Sequence, residues 1–231
     1  MLSPLALTGR TRDHVVALDA PKTVMHADTV PAYLAMRAAA ARSGIDLVPA
    51  SAFRDFDSQL ALWNAKFRGE RPLLDAAGAV VPRTGLDDET VIDLILRWSA
   101  VPGASRHHWG SDLDLVDAAA IGPGYRVQLV PAEYSERGPF GPLAVWLEAN
   151  AAGFGFFRPY REDLGGVQPE PWHWSHAPVS VPALQAMSPA LLAEALAEAP
   201  IEGKSCLLDR IGRIYRSHVA AVASAPAATL A

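Results

Sequence analysis

The sequence predicts an α+β domain, with a small, mostly antiparallel sheet flanked by helices. Segments of helical period alternate with short strand-like stretches, but not in a βαβ rhythm. The chain has 231 residues, enough for one domain with a substantial core. Half of the residues are hydrophobic and 19% are charged, a globular composition rather than a disordered one.

Residues 1–27 show no strong period and read as an irregular extension packed on the domain. "DTVPAYLAMRAAAARSG" is a helix, with Asp28 or Thr29 as cap, Pro31 in the first turn and Gly44 as stop. "IDLVPASAF" is a short strand. "DFDSQLALWNAKFRG" is a second helix whose Phe56, Leu60, Trp63 and Phe67 recur at helical spacing and belong to the core. Residues 70–86 are a loop, and "DDETVIDLILRWSA" is a third helix with acids in its first turn. "DLDLVD" is a strand, residues 118–139 a long loop rich in Gly and Pro, and "PLAVWLEANAAG" a helix. "FGFFRPY" reads as a strand, "REDLGGVQP" as a loop and "EPWHWSHAP" as a short extended segment between prolines. "SPALLAEALAEA" opens with a Ser-Pro helix start, and "LLDRIGRIYRSHV" is the last helix. The main domain is expected over residues 28–218, with a frayed, low-complexity tail over 219–231.

The formal charge of -5 gives no electrostatic reason to expect nucleic acid or an anionic membrane as partner. The single cysteine, Cys206, rules out an internal disulfide, and its apolar surroundings mark it as a plain thiol. Any metal site must therefore use histidines and carboxylates. The N-terminus lacks a basic region followed by an apolar run, and no segment has the roughly 20 apolar residues of a membrane span. The expected location is cytoplasmic, or exported with the signal absent from this chain. The sequence is silent on oligomeric state.

Four of the seven histidines fall in two places, His107 and His108 in "SRHHWGSDLD", then His173 and His176 in "EPWHWSH". His107 and Asp114 are seven apart, which on a straight strand would point them to opposite faces. Gly110 between them permits the turn that lets both reach one point. Pro169 and Pro171 argue against a helix around Glu170, and a bend at Pro171 can bring Glu170 to the side of His173. Two histidines and a carboxylate are a catalytic zinc set, with a fourth position open to a water whose pKa the ion lowers to about 7. A nearby free glutamate can take the proton of that water, and Glu170 is the candidate.

Three stretches carry a family resemblance. "SRHHWGSDLD" resembles the Ser-x-His-x-x-Gly-x-Ala-x-Asp motif of the LAS metallopeptidases, the group of lysostaphin, D-Ala-D-Ala carboxypeptidase and sonic hedgehog. "EPWH" resembles their Glu-x-Trp-His motif, and "SAFRDFDSQ" is similar to a segment of the VanY-type D-alanyl-D-alanine carboxypeptidases. The motifs stand in family order over residues 51–174. The resemblance implies the LAS fold, with one zinc ion per chain held by His107, Asp114 and His173. It implies Glu170 as catalytic base and Arg54 as a catalytic residue that also binds substrate. Gln59, Ser105 and Trp172 match substrate-binding positions. The implied substrate is a peptidoglycan stem peptide or another D-Ala-D-Ala-type peptide.

Two residues depart from the pattern. Asp112 replaces a small alanine and either contacts a ligand or points away, and Phe53 replaces a tyrosine, removing a phenol. His108 is the rival ligand, and His176 is expected to be solvated or to contact the metal set. His14, His26 and His218 have no partners in sequence and are expected at the surface. Trp109, Trp172 and Trp174 are expected to pack and to dry the site. L,D-carboxypeptidases, D,D-dipeptidases and peptidoglycan endopeptidases share these motifs, and a groove built by residues 70–103 and 118–168 decides among them. Two further readings are a non-catalytic zinc-containing binding domain and a purely structural ion; the retained Glu170, Arg54 and Gln59, and a set of only three protein ligands, argue against both.

Overall fold

A computed structural model describes residues 1–229 of the chain. Residues 1–27 are more ordered than their sequence predicts. Helix α1 (Pro4–Leu7) is capped by the Ser3 hydroxyl, and β1 (Val15–Asp19) pairs antiparallel with β2 (Lys22–His26) as a hairpin. Burial along the two strands does not alternate residue by residue, so they lack the pattern that betrays a strand. Long-range backbone bonds hold the hairpin instead. The Phe53 N–H donates to the Val24 carbonyl at 2.9 Å, and the His26 N–H to the Gly110 carbonyl at 2.8 Å.

Helix α2 (Thr29–Ala41) and strand β3 (Leu47–Ser51) lie where the sequence places them. Helices α3 (Phe56–Phe67) and α4 (Asp88–Leu96) each start at an aspartate. Asp55 accepts from the Ser58 N–H and Asp87 from the Thr90 N–H. The loop between them contains a minimal hairpin, β4 (Leu73–Leu74) with β5 (Val80–Val81). Strand β6 (Asp112–Asp117) is "DLDLVD", buried throughout. Helix α5 (Gly141–Asn150), β7 (Phe156–Phe157) and β8 (His173–His176) follow.

Helix α6 (Ala177–Ala186) is hidden in the sequence by Pro178 and Pro182. Pro178 sits in the first turn, where no N–H is needed, so only Pro182 removes an internal hydrogen bond. Helix α7 (Pro189–Ala197) begins at its expected Ser188 cap. The final helix is divided into α8 (Lys204–Asp209) and α9 (Ile211–Ile214), because Arg210 between them leaves helical geometry at φ -105°, ψ 4°. The tail differs from the frayed segment expected from residue 219, as far as residue 229. The Ala223 N–H donates to the Pro159 carbonyl at 2.8 Å and Thr229 is buried, contacts that composition does not reveal. Residues 230–231 lie outside the described residues.

Strands β3, β6, β8 and β7, in that order, form one antiparallel sheet. Its core joins Leu47, Leu113, Leu115 and Phe156 to Tyr33 and Met36 of α2 and to Leu143 and Leu147 of α5. A second core gathers the predicted Phe56, Leu60, Trp63 and Phe67 with Ile92, Leu96, Leu192 and Leu207. Among the described residues, no single helix is long and apolar enough to cross a membrane.

Candidate active site

His107 lies in a short 3-10 turn, Arg106–Trp109, ahead of β6. Gly110 closes that turn at φ +67° and sends the chain back into the strand. A Cβ there would meet the His26 backbone nitrogen at 2.7 Å, so only glycine serves. This turn resolves the odd spacing between His107 and Asp114. Asp114 of β6 and His173 of β8 are direct cross-strand partners. The Nε2 of His107 lies 3.3 Å from Asp114 Oδ2, and the Nδ1 of His173 lies 3.2 Å from Asp114 Oδ1. The three candidate ligand atoms lie within 4.8 Å of one another, and all three residues are buried.

Both rings are oriented from behind. The Nδ1 of His107 lies 2.9 Å from the Ala52 carbonyl and 3.0 Å from the Asp112 carbonyl. Both partners only accept, so Nδ1 carries the proton and Nε2 presents its lone pair toward Asp114. The Nε2 of His173 donates to Asp112 Oδ1 at 3.0 Å, which turns Nδ1 toward Asp114. Asp114 Oδ1 is buried without a hydrogen-bond partner, a deficit that a cation would satisfy. About a tetrahedral zinc with ligand distances near 2.0–2.2 Å, neighbouring donors stand roughly 3.3–3.5 Å apart, so the set fits the ion. Burial opposes charge on His173, but Asp112 and Asp114 overcome it and push its pKa up to about 10. A proton and a cation therefore compete for His173 Nδ1. Burial likewise opposes charge on Asp114, while His107 and His173 hold its carboxyl well below the usual range.

Asp112, the departure from the family pattern, contacts His173 rather than pointing away. Its Oδ1 also accepts from Arg106 Nε at 2.7 Å, and its Oδ2 accepts from the Ser111 hydroxyl at 2.8 Å. Arg106 donates further to the Ser175 hydroxyl at 2.7 Å and lies over the Trp109 ring at 4.8 Å. Burial opposes the Asp112 charge, but Arg106 and His173 hold its carboxyl far below the ordinary value. Asp112→Ala would strand a buried guanidinium. The expected cost is about 3–5 kcal/mol of unfolding free energy, with zinc affinity reduced about 10–100-fold. Guanidinium denaturation and chelator competition measure the two effects, and a loss below about 1 kcal/mol would refute the buried pair.

The candidate metal set opens on a cleft of about 570 Å³, lined by Arg54, Ser105, Glu170 and Trp172 together with Arg71, Leu74 and residues 76–78, 98–100 and 128–132. The Oε2 of Glu170 stands 3.4 Å from His173 Nδ1. A turn places it there, with the His173 N–H donating to the Glu170 carbonyl at 3.2 Å, as the bend at Pro171 predicts. Burial raises the Glu170 pKa to about 7 against the pull of His173, which suits a base working near neutral pH. Arg54 donates to Gln59 Oε1 at 2.9 Å and to the Ser51 hydroxyl at 3.0 Å. Trp172 stacks on Trp98 with ring centroids 6.5 Å apart.

Gln59 differs from its expected role. It is 0% exposed and donates to the Ala100 carbonyl at 2.7 Å, so it orients Arg54 and does not reach the cleft. Phe53 faces the N-terminal segment, under Arg12 and against His14. A phenol reaches the cleft from elsewhere: Tyr160 lines it and packs edge-on against His173 at 5.0 Å. Its position in "FGFFRPY" carries no sequence signal for that role.

The remaining histidines are structural. His108 accepts from the Gly103 N–H at 3.0 Å and donates to the Arg54 carbonyl at 2.7 Å, which excludes it as a ligand here. His176 is buried beside Thr29 and neither solvated nor in the metal set, with Nδ1 3.2 Å from the Thr29 hydroxyl. His14 and His26 are not surface residues. His14 bonds the His108 carbonyl at 2.8 Å and His26 is buried, because the hairpin packs on the 106–110 turn. His218 is half-buried. Trp109 and Trp174 pack in cores, as expected.

Comparison with known proteins identifies the family. The family model "VanY: D-alanyl-D-alanine carboxypeptidase" matches residues 22–179, more than half of the chain. An uncharacterized protein of Haemophilus influenzae is 43% identical over 103 residues, 43% of this chain and 70% of that protein. The fold is similar to that of VanYB in complex with D-alanine-D-alanine, with a TM-score of 0.53 and 20% identity over 80% of this chain and 88% of that one. It is also similar to a mutant of the vancomycin-resistance D,D-pentapeptidase VanY from the VanB-type cassette, in complex with Zn(II). There the TM-score is 0.50 and the identity 22%, over 79% and 88% of the two chains. The chain belongs to the VanY D-alanyl-D-alanine carboxypeptidase family of metallopeptidases.

Proposed function

We propose that this metallopeptidase removes the C-terminal residue of a peptidoglycan-type peptide ending in D-Ala-D-Ala, with zinc as its metal. The observation that carries the reading is the meeting of His107 Nε2, Asp114 and His173 Nδ1 beside a buried Glu170 on one cleft. His107, Asp114 and His173 would hold the ion, which when bound acidifies a water and polarises the scissile carbonyl. Glu170 takes a proton from the attacking water and returns it to the leaving amine as the C–N bond breaks. Arg54, fixed by Gln59 and Ser51, stabilises the negative charge that develops on the carbonyl oxygen, an effect worth about 3–4 kcal/mol for a well-placed donor. Ser105 and Trp172 line the cleft and orient the peptide.

The test is release of D-alanine from a D-Ala-D-Ala peptide by zinc-loaded protein, read by mass spectrometry. Release should stop with a chelator and return when zinc is added back. A parallel peptide ending in an L,D bond reads the L,D-carboxypeptidase alternative, and an internally cross-linked peptide reads the endopeptidase one. Zinc-loaded protein that cleaves none of the three would overturn the catalytic reading in favour of a binding domain.

A further inference from the structure

His108 does more than fill space behind the cleft. Its ring ties Arg54 to the loop ahead of the metal-binding turn. Nδ1 donates to the Arg54 carbonyl at 2.7 Å, and Nε2 accepts from the Gly103 N–H at 3.0 Å. A neutral imidazole has one donor and one acceptor, so a single tautomer makes both bonds. The Arg54 N–H in turn donates to the His107 carbonyl at 3.1 Å. Both backbone groups of Arg54 are therefore fixed to neighbouring residues of the turn that carries a candidate metal ligand. His108 itself is fully buried and does not line the cleft.

The N-terminal segment holds the ring from its other side. Gly9, at φ +72°, lays its backbone against it, and a Cβ there would stand 2.6 Å from His108 Cγ and 2.9 Å from Cε1. The Gly9 carbonyl accepts from the Phe56 N–H at 2.8 Å, two residues beyond Arg54. The Leu7 carbonyl accepts from Trp109 Nε1 at 3.1 Å, and His14 bonds the His108 carbonyl at 2.8 Å. Residues 3–14 lie ahead of the stretch 22–179 that the family model matches, so this brace is additional to the family's motifs. We propose that His108, seated against Gly9, is a positioning residue that sets Arg54 relative to the candidate metal ligands, so that residues 3–14 control turnover without touching substrate. The inference rests on the proposed role of Arg54 in stabilising charge on the carbonyl oxygen. That effect depends steeply on where the donor stands, and a displacement of about 1 Å can cost about 100-fold in rate.

A double-mutant cycle with Arg54 separates positioning from a general loss of stability. One readout is kcat on a D-Ala-D-Ala peptide. The other is the calorimetric affinity of zinc-loaded protein for a phosphinate analogue of that peptide, whose charged oxygen stands in for the developing one. His108→Leu removes both ring bonds. It should keep its zinc, because the Ala52 and Asp112 carbonyls orient His107. It should lower kcat and analogue affinity about 10–100-fold, with KM changed far less. On an Arg54→Gln background the same substitution should cost less than about threefold. His108→Gln retains one donor and one acceptor and should recover most of the loss. Gly9→Ala presses on the ring without altering its chemistry. It should give the same coupled losses, and it replaces His108→Leu in the cycle if that variant does not fold. Losses that multiply independently with Arg54→Gln, or no loss in either variant, overturn the inference. Wild type that binds the analogue with this coupling but releases no D-alanine would sink the proposed reaction and leave the positioning role. Release of D-alanine with independent losses would do the reverse, and wild type that neither binds the analogue nor releases D-alanine would overturn both.

Discussion

A Glu170→Gln enzyme is expected to keep its zinc and lose turnover by about two to four orders of magnitude. Glu170 is outside the set whose donors converge, so the metal does not need it. Its carboxylate is buried, and burial is what lifts its pKa to about 7, where it can both take and return a proton near neutrality. Glutamine keeps the shape and the hydrogen-bonding capacity of the side chain but cannot accept that proton. The check is kcat on a D-Ala-D-Ala peptide beside zinc content by elemental mass spectrometry. A variant with near wild-type kcat would remove Glu170 from the role of base.

His173→Ala is expected to lose both zinc and activity. The substitution removes one of three donors and leaves Asp114 facing His107 alone. It also deprives Asp112 of a hydrogen bond, although the Arg106 pair persists. The affinity loss should exceed the 10–100-fold typical of removing an outer partner of a ligand. Wild type should carry about one zinc per chain and the variant close to none, with a lower Tm in wild type after chelation because metal binding is linked to folding. A variant that retains stoichiometric zinc would place the ion elsewhere and undo the assignment of the site.

Much of this molecule is legible in its sequence. Helical period marks α2, α3 and α4, and the Ser-Pro start marks α7, where Ser188 accepts from a backbone N–H only three residues away; Asp28 makes no side-chain cap bond at the start of α2. The alternation of "DLDLVD" marks β6, and Gly110 marks the turn before it, because only glycine adopts that backbone without a clash. The β1–β2 hairpin and α6 are not legible. The first is held by bonds to Phe53 and Gly110 rather than by its own pattern. The second is masked by two prolines, of which only Pro178 falls in the first turn, where no N–H donor is needed.

The sequence by itself determined which residues are chemically able to form the site. His107, Asp114, His173 and Glu170 stand in short motifs whose turns and strand periods are local properties. Only the tertiary structure decided what those residues do to one another. Pairing of β6 with β8 sets Asp114 opposite His173 and carries Asp112 to the far nitrogen of the same ring. Packing of α3 seals Gln59 beneath Arg54 and leaves Lys66 in the cleft. Periodicity tells which face of an element a residue occupies. Burial, tautomer and charge balance depend on what covers that face, and those partners come from distant parts of the chain.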